Sequence, residues 1–224
     1  MTITEQDTET LRALEDADAS VRLRAALAVG SAPRPAYVKT LVERCAVEPE
    51  FFVRDMLTWA LTRHPVDLTL PAVVREVTAG KAQARSQALH TLSKLGEPAA
   101  WPVITRELLT DPDDEVARCA WRAAVVLVPD EPEKAVLADV LATQLGRGGR
   151  ETQLSLSRAL VDLGDTAVPA VDRAARAADP EVRAHALATG RVLRDPDTGI
   201  GFAIEDAKRV VALDGAPGMD HGVC

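Results

Sequence analysis

Aromatic side chains are scarce, at 3% of 224 residues. With few isoleucines as well, the chain lacks the residues that favour a large β-sheet. Cysteine is nearly absent. Cys45, Cys119 and Cys224 are odd in number, far apart and without CxxC spacing, which argues against a disulfide framework and fits a reducing cytoplasm. No apolar run approaches the roughly 18 residues that a membrane span needs. The acidic segment MTITEQDTETLRALED offers no apolar signal core, so the expectation is a cytoplasmic protein. Positive charge is in deficit: 26 Lys and Arg stand against 34 Asp and Glu, a formal −8. Such a chain is mildly repelled by nucleic acid and by anionic lipid. Catalytic signatures are missing too, with no GxSxG, Walker loop, GxGxxG or HExxH, and no enzymatic residue is assigned. His64, His90 and His185 show no ligand spacing. His221 and Cys224 supply only two ligand types, too few for a tetrahedral site, so no metal or cofactor is expected.

What the chain has is repetition. Six segments fall on one register, opening on Val21-Arg22, Val53-Arg54, Ala84-Arg85, Val116-Ala117, Thr152-Gln153 and Val182-Arg183. Successive steps are 32, 31, 32, 36 and 30 residues, the period of a two-helix repeat. Apolar residues make up 47% of the chain, mostly Ala, Leu and Val, and small apolar side chains suit closely packed helices.

Acidic or turn-forming groups precede most of these segments. Asp16 and Asp18, Glu48 to Glu50, Asp111 to Asp114, and Asp179 to Glu181 mark helix starts, where carboxylates cap free N–H groups and suit the positive end of the dipole. Gly30, Gly96 and Gly164 follow apolar runs, the place of a left-handed C-cap. Pro35, Pro71, Pro102 and Pro169 stand near the starts of the intervening stripes. The pattern predicts helices over 4–15, 18–29, 35–47, 50–63, 67–79, 81–95, 98–110, 113–128, 131–145, 149–163, 165–177, 180–194 and 203–213.

An Asp/Pro/Glu turn, then Val-Arg, then an Ala- and Leu-rich helix resembles the HEAT-repeat family in its bacterial short form, and the phycobilin-lyase-type repeats. It is clearest in 16–30, 111–124 and 179–193. The resemblance implies an all-α, right-handed α-solenoid of six two-helix HEAT repeats with a C-terminal capping helix. Residues 1–213 form the expected single domain, and 214–224 a flexible tail. The fourth repeat, with Ala117 for Arg, and the fifth, with Thr152-Gln153 and a Gly-rich lead-in at 146–149, depart from the pattern. In HEAT arrays the Val-Arg arginine reaches an acid of the neighbouring repeat. For Arg22, Arg54, Arg85 and Arg183 that makes a structural column rather than a binding ladder.

The resemblance also places the second helix of each repeat on the concave face. With Val21 and its equivalents as position zero, +2, +5, +6 and +9 are expected to face that groove. The columns gather Asp55, Trp59, His90, Arg118, Trp121, Arg122 and Arg158 into a candidate recognition patch. Trp and Arg dominate binding hot spots, and a guanidinium grips a carboxylate with two hydrogen bonds. Of the two adjacent phenylalanines, Phe52 is expected in the core and Phe51 at the surface.

The leading reading is a non-enzymatic binding or scaffold module that holds a protein or peptide in the concave groove. Two others stay open from the resemblance. A HEAT-like DNA glycosylase would use Asp55, Trp59, Trp121 and Arg122 on alkylated bases, against the acidic total and the missing basic stripe. A phycobilin-lyase-like chaperone would need a bilin site that no residue marks.

Overall fold

Helices begin where the carboxylates stand in the computed structural model, which describes residues 4–78, 80–195, 206–208 and 211. Twelve α-helices are placed there, with no strand among the described residues. The chain divides into two compact units, Met1–Val128 and Pro129–Cys224.

The first unit holds four helix pairs: α1 (Glu5–Ala13) with α2 (Ala19–Ser31), α3 (Val38–Cys45) with α4 (Phe51–Thr62), α5 (Val66–Val77) with α6 (Ala82–Leu95), and α7 (Arg106–Leu109) with α8 (Asp114–Leu127). Within it α2, α4, α6 and α8 pack in succession as an inner layer, and α3 packs on α5 in an outer one. These are the paired helices that the period near 32 residues predicts. Asp18 accepts the Ser20 N–H, and Asp113 accepts those of Glu115 and Val116, so the caps expected there form, whereas Glu50 before α4 makes no side-chain cap bond. Ala25, Ala26 and Val29 of α2 meet Val53, Leu57 and Ala60 of α4 in the core. Further along lie Ala88, Leu89 and Leu92 of α6, then Ala120, Ala123 and Ala124 of α8. Each leucine sealed in this way contributes roughly 1.5–3 kcal/mol.

Between Glu97 and Asp111 the expected continuous helix is broken. Pro98–Val103 forms a 3₁₀ helix and α7 has only four residues. Pro102 has no N–H for an α-helical bond, and its ring clashes with the preceding turn. Gly30 also departs from expectation. It lies inside α2 rather than at a left-handed cap, and the need for glycine there is packing, since a Cβ would sit 2.2 Å from the Trp59 ring. Gly96 and Gly164 do take positive φ, at 61° and 63°.

The Val-Arg arginines share one task. Arg22 Nη1 donates to the Asp16 and Ala17 carbonyls, Arg54 Nη1 to those of Glu48 and Pro49, and Arg183 Nη1 to those of Ala177 and Ala178. Each arginine thus folds back onto the turn before its own helix and satisfies carbonyls that no helix bond reaches. Arg22 also grips Glu48 through two bonds of 2.7 and 2.8 Å, and Arg85 reaches Asp111 at 3.1 Å. Glu48, expected as a turn acid, is fully buried.

The second unit pairs α9 (Glu131–Ala142) with α10 (Arg150–Asp162), and α11 (Val168–Ala174) with α12 (Pro180–Arg194). Its departures from the repeat motif have local causes. Gln153 Nε2 takes over the arginine's task, donating to the Gly146 and Gly148 carbonyls. Gly146, at φ 84°, brings its N–H 3.0 Å from Nδ1 of His185, and a Cβ on it would meet the Val182 backbone nitrogen at 3.0 Å. His185 Nε2 lies 3.0 Å from the Gln153 carbonyl and 2.9 Å from Ser157 Oγ, which also bonds Thr189. Of the expected capping helix over 203–213, residues 206–208 and 211 are described and are helical. Ala207 packs with Leu154, Ala188 and Val192. The tail over 214–224 lies outside the described residues. No helix among the described residues is long and apolar enough to cross a membrane.

Burial pushes His185 down from 6.5 to about 4, against the Gln153 carbonyl, which favours the charged form. The folded unit therefore holds it neutral, while the unfolded chain takes up a proton below about 6.5. Its stabilisation is complete above that pH and is lost as pH falls toward 4. The loss expected between pH 7.5 and pH 4 is about 3 kcal/mol. Denaturant midpoints measured at those two values should show it, and His185→Gln should flatten the difference.

Candidate functional site

Once the inner helices stack, side chains from three of them converge. A cavity of about 200 Å³ is lined by Phe51, Arg54 and Asp55 of α4, Gln87 and His90 of α6, and Glu115, Arg118, Cys119 and Arg122 of α8. A neighbouring hollow of about 290 Å³ shares Arg54, Gln87 and Glu115 and adds Ser86, Gln83 and Asp113. Four of the seven expected site residues, Asp55, His90, Arg118 and Arg122, thus come together on one face of the first unit.

The other three do not join them. Trp59 is 37% exposed on α4, but its ring rests on Gly30 of α2 and does not line the cavity. Trp121 is a correction: it is completely buried, and its indole N–H donates to the Leu109 carbonyl at 2.8 Å. Leu109 ends α7, so the indole satisfies one of the carbonyls left open at a helix C-terminus and fills the space beside that short outer helix. Arg158 is exposed on α10 of the second unit and is not among the lining residues.

The physical reason is phase. In the first unit the +5 column, Ala26, Thr58, Leu89 and Trp121, is buried throughout. The stripe that lines the hollows instead runs through −1, +2, +3 and +6. That brings in Glu115, Gln87 and Cys119, which the columns had missed, and Arg54 and Phe51 at the first turn of α4. Phe52 corrects a second expectation. It is 74% exposed beside Phe51 at 64%, the two rings meeting edge to face at 5.6 Å, while Val53 takes the inward position.

Charge inside the cavity is mixed and organised. Glu115 is shared, 3.5 Å from Arg118 Nη1 and 4.0 Å from Arg122 Nη2. Arg122 donates to Cys119 Sγ at 3.0 Å, and the thiol donates to Glu115 at 3.6 Å. Burial pushes that thiol up to about 11, against the nearby Arg122, so it stands as a neutral S–H. Burial also pushes His90 down to about 4, helped by Arg122 and Lys94 and opposed by Asp55, so its ring is neutral at pH 7. The buried Nε of Arg118 finds no acceptor. Three arginines thus face two carboxylates, beside a neutral imidazole and an exposed phenyl ring. That arrangement can hold a polar ligand by charge-assisted hydrogen bonds while an apolar group lies alongside. Among the described residues no cluster of His, Cys, Asp and Glu is placed to hold a metal ion.

No family model matches the chain, and no curated protein matches it. Among solved structures it is similar to an engineered protein, at 17% identity and a TM-score of 0.46 over 85% of this chain and 97% of that one. Human deoxyhypusine hydroxylase in complex with glycerol is 16% identical at a TM-score of 0.46, covering 92% of this chain and 94% of that one. The CpcE–CpcF complex of phycocyanin lyase from a Nostoc species is 14% identical at 0.39, covering 94% and 96%.

Proposed function

We propose that this protein works by binding, and that the face of α4, α6 and α8 around the Arg54–Arg118–Arg122 cavity holds a segment of a protein or peptide partner. The observation that carries this reading is the cavity itself. Side chains from three repeats leave about 200 Å³ open, with three arginines and the exposed Phe51 ring among its lining. Core arginines and aromatics are the residue types that anchor interfaces. The helices that carry these side chains are formed before a partner arrives, so little backbone freedom is lost on association. The glycosylase reading depended on Trp121 at the surface and loses it to the core.

The test compares the intact chain with an Arg118→Gln/Arg122→Gln variant, each used to retrieve partners from the source cell, with melting followed in parallel. Both arginines are partly exposed, so the variant should melt within a few degrees of the parent and lose a partner that the parent retains. Equal retrieval by both proteins would move the binding face elsewhere.

A further inference from the structure

Arg54 differs from Arg22 and Arg85, its equivalents on either side in the first unit, in one respect. Arg22 and Arg85 each clamp the preceding turn and also find a carboxylate 26 residues further on, Glu48 and Asp111. Arg54 clamps its turn in the same way. The sequence that should answer it, over 78–81, carries no acid and one lysine. Among the described residues no carboxylate lies within ion-pair distance of Arg54. Its guanidinium instead lies 6.0 Å from the centre of the exposed Phe51 ring and forms part of the wall of both hollows.

Two of the acids that share those hollows are committed elsewhere. Asp113 accepts the N–H groups of Glu115 and Val116, and Glu115 serves Arg118 and Arg122. Asp55 leaves the main cavity with three arginines against two carboxylates. One anionic group is therefore the charge the cavity lacks, and in the repeats on either side that group is a carboxylate.

We propose that an acidic residue of a bound peptide supplies the carboxylate that the sequence over 78–81 lacks, taken by Arg54 with Arg118 and Arg122 beyond it, while an adjoining apolar residue of the same peptide lies on Phe51. The inference rests on the reading of this face as a peptide site and names the chemistry that the site selects. A partner carboxylate here replaces an internal one, so a carboxylate built into that sequence should shut the partner out. Gly80 gives the means: a Cβ there meets nothing within 4 Å, and it stands 26 residues after Arg54.

The experiment is selection of a random displayed-peptide library on the intact chain, on Gly80→Glu and on Arg54→Gln. Selected peptides are then remade with Asp and Glu changed to Asn and Gln, and with phosphoserine in the acidic position. The intact chain should enrich peptides with an Asp or Glu next to an apolar residue. The amide versions should bind at least about tenfold more weakly, as for loss of a charge-assisted pair. Gly80→Glu should lose the peptides by a similar factor with its melting temperature unchanged or raised. Enrichment of the same motif by Gly80→Glu, or equal binding of the amide peptides, overturns the proposal. Tighter binding of the phosphoserine peptide assigns the site to phosphate and also overturns it. Non-acidic peptides that bind and are lost on Phe51→Ser leave the face standing as a peptide site while the carboxylate inference falls. Enrichment of nothing at all sinks both.

Discussion

Glu48→Ala is expected to destabilise the first unit by about 3–5 kcal/mol, the cost of leaving a buried charge without its partner. Glu48 is fully buried, and Arg22 beside it is 5% exposed. The carboxylate receives two bonds from Arg22, two from Arg44 and one from the Glu50 N–H. Its removal strands a guanidinium between α2 and the turn before α4, and withdraws the acceptor that shapes that turn. Burial alone would raise the carboxyl pKa, but the hydrogen bonds from Arg22, the Glu50 N–H and Arg44 outweigh it and hold Glu48 at about 2. The folded value lies below the ordinary 4.5, so the stabilisation is present above pH 4.5 and is lost as pH falls toward 2. Denaturant unfolding of Glu48→Ala beside the parent checks the size, and the deficit should shrink at low pH. The double variant Arg22→Met/Glu48→Leu should recover most of the loss, because replacing both partners of a buried pair costs far less than removing one. A single-variant loss under about 1 kcal/mol, the range of surface pairs, would mean that water reaches the pair.

Trp121→Ala should cost as much, about 3–5 kcal/mol for a large aromatic removed from a sealed site. Two terms add. A void opens where the buried ring stood, and the Leu109 carbonyl loses the donor it has at 2.8 Å. Trp121→Phe keeps most of the volume and separates the terms, leaving about 1–3 kcal/mol for the unsatisfied carbonyl. Trp59→Ala is the control. Its indole is 37% exposed, so the loss should be no more than about half that of Trp121→Ala. Thermal or denaturant melts of the three variants decide this. Equal losses at Trp59 and Trp121 would contradict the placement of one indole at the surface and the other in the core.

The two tryptophans also show how far the sequence could be read. Helix positions followed from the repeat and its caps, because acids at 18, 113 and 179 and glycines at 96 and 164 act on their own backbone neighbourhood. The arginine column was legible as structure, although its first bonds go to turn carbonyls and only then to acids. Phase was harder. Three to four residues per turn fix which positions are apolar, but not whether the position beside the apolar stripe is taken into the core. The +5 position is buried in all four repeats of the first unit, and beside Trp121 the outer helix α7 shrinks to four residues. The period carries no mark of that shortening. Pro98 and Pro102, read together as breakers inside 98–110, would have given it. Gly30 likewise answers a ring 29 positions away, a constraint that only packing reveals. The missing acid after Arg54, by contrast, stands openly in the aligned turns once the structure shows what the acids do.

The claim on which the account turns is that a partner segment lies across α4, α6 and α8 of the first unit. A photo-reactive copy of the tightest selected peptide, cross-linked to the intact chain and mapped by mass spectrometry, tests it most directly. The account predicts cross-links on the segments carrying Phe51, Gln87 and Arg118 to Arg122. Cross-links confined to the outer helices α3 and α5, or to the second unit, would contradict it.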